Sequence, residues 1–169
     1  MAPARPTIER ATPEDLQTVT DLWVRLAEEQ REHGSHVLPE ENRETIRETL
    51  AAYRTNGGLL VARLEGAVVG FSSFTVERGT FELDATRGLL SNLYVRPTDR
   101  SQGIGTALLE ATETALEERG VDVVVLEAMA ANEAARQFYR RNGYGTHRVA
   151  MEREVDDRTK NDTHSKEER

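Results

Sequence analysis

The sequence predicts a mixed α/β (α+β) fold in which a mostly antiparallel sheet carries one parallel strand pair and about four helices flank it. Three observations carry this. Residues 57–78 hold two apolar runs around Glu65-Gly66, the pattern of a β-hairpin with a tight turn. Apolar residues recur at helical spacing in four separate segments. The strand, helix and strand read between residues 89 and 129 need a crossover, which makes that strand pair parallel.

Taken in order, Thr7 to Ala11 is a short strand candidate. Thr12 then stands as N-cap before Pro13, opening a helix whose Leu16, Val19, Leu22, Trp23 and Leu26 share a face. It should end near His33-Gly34. A second helix runs from Pro39 to about Arg54 with Ile46, Leu50 and Tyr53 on one stripe, and Gly57-Gly58 stops it. The hairpin follows, then a polar excursion at 77–88 and a third apolar run, LLSNLYV. A helix from Gly103 to about Arg119 gathers Ile104, Ala107, Leu108, Ala111, Ala115 and Leu116 on one side, with Gly120 as its C-cap. VDVVVLEAM reads as a strand buried on both faces. Asn132 caps a helix from Glu133 to Asn142, Gly143 stops it, and YGTHRVAMEREV reads as a final strand. Residues 1–155 thus form one domain, and 156–169, with no apolar residue, form a polar tail expected to be disordered.

The length of 169 residues suits a single core. No stretch approaches the roughly 18 apolar residues of a membrane span, and MAPARPTIER lacks the apolar centre of a signal peptide. A cytoplasmic protein without a membrane partner is expected. The absence of cysteine excludes disulfides, thiolate metal sites and a cysteine nucleophile. Twenty of the twenty-two basic residues are arginine, and the only lysines are Lys160 and Lys166. The body therefore has neither a Schiff-base lysine nor a Walker A phosphate loop. A net charge of -8 makes this an acidic protein and argues against a nucleic-acid partner.

The segment VRPTDRSQGIGTALLEA sets Arg100, Gly103 and Gly105 at a strand-to-helix junction, where the first helical turn leaves backbone N–H groups unpaired. Such a junction can hold an anion. Glycines let a phosphate approach the backbone, the helix dipole favours negative charge, and Arg100 can supply a counter-charge. A plain turn that uses its glycines for positive φ is the other reading. Gly103-x-Gly105 is not the three-glycine dinucleotide fingerprint.

R-S-Q-G-I-G-T-A after LLSNLYV resembles the acyl-CoA pyrophosphate loop of the GNAT superfamily of N-acetyltransferases. About thirty residues on, N-E-A-A-R-Q-F-Y-R-R-N-G-Y is similar to that family's helix after the fifth strand, and LLVARLEGAVVGF is similar to its second and third strands. The resemblance covers about residues 7 to 154. It implies a sheet splayed between the fourth and fifth strands, where the pantetheine arm of acetyl-CoA pairs with backbone at Leu93, Tyr94 and Val95. The pyrophosphate would sit on N–H groups of Arg100, Ser101, Gln102, Gly103, Ile104, Gly105 and Thr106. Asn132 matches a cofactor-contacting position, besides its reading as a helix cap. Tyr139 matches the tyrosine that protonates the departing thiolate, and aromatic packing beside Phe138 is its other reading.

An amine must lose a proton before it attacks a thioester, so a base or a water chain is needed. Glu127, in L-E-A, matches a glutamate base of the N-terminal-acetylating branch, and burial at a strand end would raise its pKa. A solvent-facing strand glutamate is the alternative. His33, His36, His147 and His164 show no metal-ligand spacing, and no metal is expected. Beyond Gly143-Tyr144 only about eleven residues precede the tail, too few for the family's usual pair of final strands. That leaves an edge able to pair with a second subunit in a homodimer.

These readings together predict an acetyl-CoA-dependent N-acetyltransferase in which a primary amine attacks the thioester directly. The acceptor stays open among peptide N-termini, protein lysines and small amines. The rival is a non-catalytic acyl-CoA-binding regulatory module. Glu77, Glu82 and Asp84, with Glu28, Glu29, Glu32, Glu40 and Glu41, are expected to give the acceptor cleft a negative mouth.

Overall fold

Five strands form one sheet in the order in which the chain makes them: β1 (Thr7–Arg10), β2 (Leu59–Leu64), β3 (Ala67–Val76), β4 (Arg87–Val95) and β5 (Val123–Leu126). The structure is a computed structural model describing residues 4–155, so the tail read at 156–169 lies outside the described residues. The pairings β1–β2, β2–β3 and β3–β4 are antiparallel, and β4–β5 is parallel. Four helices cover the sheet: α1 (Leu16–Glu32), α2 (Arg43–Thr55), α3 (Ile104–Glu117) and α4 (Glu133–Arg141).

Period-two alternation along β2 divides the core. Leu60 and Ala62 face α3, where Ile104, Leu108, Leu109 and Leu116 are buried with Val69, Phe74, Leu90 and Val95. Leu59 and Val61 face the other way, onto Val19 and Leu22 of α1 and Leu50 of α2. Each such side chain contributes about 1.5–3 kcal/mol by leaving water. The buried hydroxyls of Ser72 and Thr112 satisfy one another at 2.8 Å. Between β2 and β3 the chain reverses through Glu65 and Gly66, at φ 52° and 84°, the left-handed pair that a two-residue hairpin turn requires.

Two irregularities shape the site. Ser73 pairs with Asn92 but Phe74 pairs with Leu90, so Ser91 is an extra residue bulging from β4. The parallel ladder runs only from Arg87–Val123 to Leu90–Leu126, while β4 continues to Val95. Beyond the bulge the two strands part.

Three expectations need correction. The helix placed at Pro13 begins with a 3-10 turn, Pro13–Asp15, and α1 proper starts at Leu16. There the carboxylate of Asp15 accepts the Thr12 N–H at 2.8 Å and its hydroxyl at 3.1 Å. The strand read in VDVVVLEAM is confined to Val123–Leu126 and is not buried on both faces: it is the last strand of the sheet, with Val123 45% exposed. The final strand read in YGTHRVAMEREV does not form. Residues 145–155 belong to no ladder and lie exposed, because alternation of apolar residues prepares a strand but does not supply a neighbour to pair with.

Candidate active site

Where β4 and β5 part, a cleft of about 490 Å³ opens. Leu93, Tyr94 and Val95 form one wall, Glu127 and Met129 with α4 form the other, and the loop before α3 closes one end. The structure brings to this cleft every predicted site residue except one. Arg100, Ser101, Gly103, Ile104, Gly105 and Thr106 line it, as do Asn132 and Tyr139, whereas Gln102 is exposed and does not line it.

The loop owes its shape to two left-handed residues, Ser101 at φ 64° and Gly103 at φ 82°. The first bond of α3 runs from the Ala107 N–H to the Gly103 carbonyl at 3.0 Å. The N–H groups of Ile104, Gly105 and Thr106 precede it and have no partner within the helix. A Cβ built on Gly103 would meet nothing within 4 Å, and no acid stands in the first turn of α3. An anion can therefore reach this end without steric or electrostatic opposition. Gly105 lies under Phe138 of α4: a Cβ there would make ordinary contact with the ring at 3.5 Å, so only a larger, branched side chain would press on α4.

Arg100 is not left free as a counter-charge. Its guanidinium holds both carboxylate oxygens of Glu29, at 3.0 and 2.9 Å, and its Nε donates to the Val95 carbonyl at 2.9 Å. It also lies 5.2 Å over the ring of Tyr94, whose hydroxyl donates to Glu29 at 3.0 Å. Burial, with the Glu29 charge adding to it, pushes the Tyr94 hydroxyl up to about 12. The anion-holding donors here are thus backbone groups, and Arg100 fastens the loop to β4 and α1.

Tyr139 combines both of its readings. It packs edge-on against Phe138 at 5.2 Å and Tyr144 at 5.8 Å, and it lines the cleft. Burial pushes its hydroxyl up to about 12. Asn132 caps α4, its side chain accepting the Ala135 N–H at 3.1 Å, and faces the cleft as well. Glu127 lines the cleft one residue past β5, but it is exposed; the expected burial does not occur because the chain has already left the sheet there.

Two contributions had no sequence signal of their own. Tyr53 of α2 reaches the bulge, its hydroxyl 2.7 Å from Ser91 Oγ. Glu29 was one of several glutamates near the end of α1. The negative mouth is corrected in part. No residue of the 77–86 excursion lines the cleft, and the excursion is anchored at the other end of the β4–β5 pair, by Glu77 to Arg87 at 2.9 Å and by the Thr86 N–H to Asp122 at 2.9 Å. Glu29 and Glu40 are paired with Arg100 and Arg43. Among the described residues no group of His, Asp or Glu is arranged to hold a metal ion, and no helix is long and apolar enough to cross a membrane.

The sequence profile of the Acetyltransferase (GNAT) family matches residues 18–144. IAA acetyltransferase of Azospirillum brasilense is 28% identical over 139 residues, covering 82% of this chain and 83% of that protein. N-alpha-acetyltransferase 30 of Schizosaccharomyces pombe is 38% identical over 82 residues, a match spanning 48% of this chain and 51% of the relative. The chain thus covers only about half the length of that relative. A crystal structure of a GCN5-related N-acetyltransferase from Ralstonia eutropha JMP134 superposes with a TM-score of 0.71 at 25% identity, covering 90% of this chain and 99% of the other. The family match runs from α1 to just beyond α4 and takes in the α3 loop and the cleft, so the chain belongs to the GNAT family, whose members are acetyltransferases that use acetyl-CoA.

Proposed function

We propose that this chain transfers the acetyl group of acetyl-CoA to a primary amine by direct attack in a ternary complex. One observation carries the reading: the ladder between β4 and β5 stops at Leu90–Leu126 while β4 runs on to Val95, so strand backbone with no strand partner on its β5 side leads straight to the N–H groups of α3 that have no partner within the helix. That is a slot for an extended, amide-bearing arm ending in phosphates. Acetyl-CoA supplies an already activated acyl group, so the protein need only position, deprotonate and protonate.

The backbone of Leu93 to Val95 holds the arm, and the N–H groups of Ile104, Gly105 and Thr106 hold the pyrophosphate. Asn132 orients the arm from the opposite wall. Glu127, exposed at the rim, takes a proton from the incoming ammonium directly or through water. Tyr139 stays protonated and donates to the sulfur as the carbon–sulfur bond breaks. The S. pombe relative is named for α-amine acetylation, which makes a peptide N-terminus the first acceptor to try.

The test is thiol release from acetyl-CoA against peptides with free N-termini, lysine peptides and small amines. Release should require an amine and should match the acetylated product one for one. An acetylated enzyme detected by mass spectrometry before amine is added would overturn direct attack. Tight acetyl-CoA binding with no release for any amine would overturn amine transfer.

A further inference from the structure

Ser91 and Asn92 stand where β4 and β5 fork, immediately past the last ladder pair, Leu90–Leu126, and both line the cleft. Strict alternation would turn them to opposite faces of the sheet. The bulge turns them to the same one. Leu90 and its partner Phe74 lie in the α3-side core, and Ser72 also faces α3, through Thr112. Ser73, between Ser72 and Phe74, therefore faces α1 and α2, and the Asn92 side-chain N–H donates to its hydroxyl at 2.8 Å. Ser91 faces that side too, since its hydroxyl meets Tyr53 of α2 at 2.7 Å.

Each of the two is held from behind. Ser73 is fully buried, so the amide nitrogen of Asn92 is turned inward and the planar amide turns its oxygen outward. Among the described residues no donor reaches that oxygen. Ser91 Oγ has one bond, to Tyr53, and keeps the capacity for another. Tyr53 is itself fixed, packed on the core of α1 and α2 and lying over Gly58, where a Cβ would be 3.5 Å from its ring. Across the fork Glu127, the residue after Leu126, stands at the level of Ser91.

We propose that Ser91 and Asn92 receive the acceptor amine, each oxygen accepting one N–H, with Glu127 on the opposite wall taking the third, and that Tyr53 and Ser73 are positioning residues for the two oxygens. The inference rests on the acetyl-transfer reading and deepens it, naming how the amine is held. An arm laid from the α3 N–H groups along Val95, Tyr94 and Leu93 brings its far end to this fork, on the face where both oxygens stand. A primary ammonium has three N–H groups and meets three acceptors here, one of them charged. An N-methylated amine loses one N–H and sets a methyl against an oxygen left unpaired, so the site selects primary amines.

The test is steady-state kinetics with whichever probe supports thiol release, a peptide with a free N-terminus, a lysine peptide or a small amine, beside calorimetric titration of acetyl-CoA. Ser91→Ala and Asn92→Ala should each raise the amine KM about 10-fold and leave the acetyl-CoA Kd unchanged. Asn92→Asp keeps the oxygen and adds charge, so it should lower the amine KM. Ser73→Ala should raise the amine KM only where Asn92 is present, and Tyr53→Phe only where Ser91 is, which makes each pair non-additive. N-methylation of the amine should cost more in the unmodified enzyme than in Asn92→Ala. An amine KM unmoved by both alanine variants, additive pairs, or a raised KM in Asn92→Asp would overturn the amine-holding role and leave acetyl transfer standing. No release with any of the amines would overturn acetyl transfer itself, and this inference with it.

Discussion

A phenol pushed up to about 12 stays protonated wherever an amine acceptor is assayed, so Tyr139 keeps the proton that the proposed donor role needs. Full proton transfer to a free thiolate, whose acid has a pKa of about 8.5, would run uphill. In the proposed mechanism Tyr139 would therefore act chiefly by hydrogen bonding to sulfur as charge develops, and transfer would follow to the extent that the cleft also raises the thiol. Tyr139→Phe should retain acetyl-CoA affinity in calorimetric titration while turnover falls about 10- to 10⁴-fold. The rate of the unmodified enzyme should climb with pH as the amine loses its proton, and Tyr139 should impose no falling limb until near 12; a limb near the ordinary phenol value of about 10 would contradict the effect of burial. Glu127→Gln should depress the rate at low pH far more than at high pH, where the amine is already free. That Tyr139 and Asn132 lie at the cleft was legible because each stands at a fixed place in a motif. Glu29 and Tyr53 were not, because they meet Arg100 and Ser91 only through tertiary packing and nothing in their neighbourhood marks them out.

At the scale of the element, the two glycines of the α3 loop do different work. Gly103 holds φ 82° beside open space, and a branched side chain there adds about 1–2 kcal/mol of backbone strain and intrudes on the anion. Gly105 leaves room for a Cβ in ordinary contact with the Phe138 ring but not for a branched side chain. Gly105→Val should therefore raise the acetyl-CoA Kd and also lower kcat, since Phe138 and its neighbour Tyr139 are pushed together. Gly103→Val should act mainly on Kd, and steady-state kinetics beside titration separates the two. Helices and hairpin were legible from local period and turn residues, and the crossover fixed the parallel pair. The Ser91 bulge and the failure of residues 145–155 to pair were not, because register and pairing depend on what a strand lies beside.

For the whole molecule, one ion-pair cluster ties the sheet's first edge to the start of α1. Arg63 on β2 holds Asp15 at 2.5 Å and also pairs with Glu9 on β1. Burial works to raise the Asp15 carboxyl, but the hydrogen bonds from Arg63 and Thr12 outweigh it and hold the group below its ordinary value of 3.8. Its stabilising contribution is thus complete above that value and is lost as pH falls through the lower, folded one. Melting temperature should decline on acidification below about pH 4. Asp15→Asn should lose about 1–3 kcal/mol at neutral pH, leaving Arg63 partly unpaired, and should show a flatter acid decline by calorimetry. A different property of the whole comes from Arg100, which holds the Val95 carbonyl at the end of β4 and Glu29 near the end of α1. Any movement of that loop on binding the proposed pyrophosphate would be shared with the end of α1. With the acceptor bound beside α1, where the sequence places it, donor and acceptor affinities would be linked through a single side chain, and by reciprocity each ligand would change the hold on the other by the same factor, whichever arrives first.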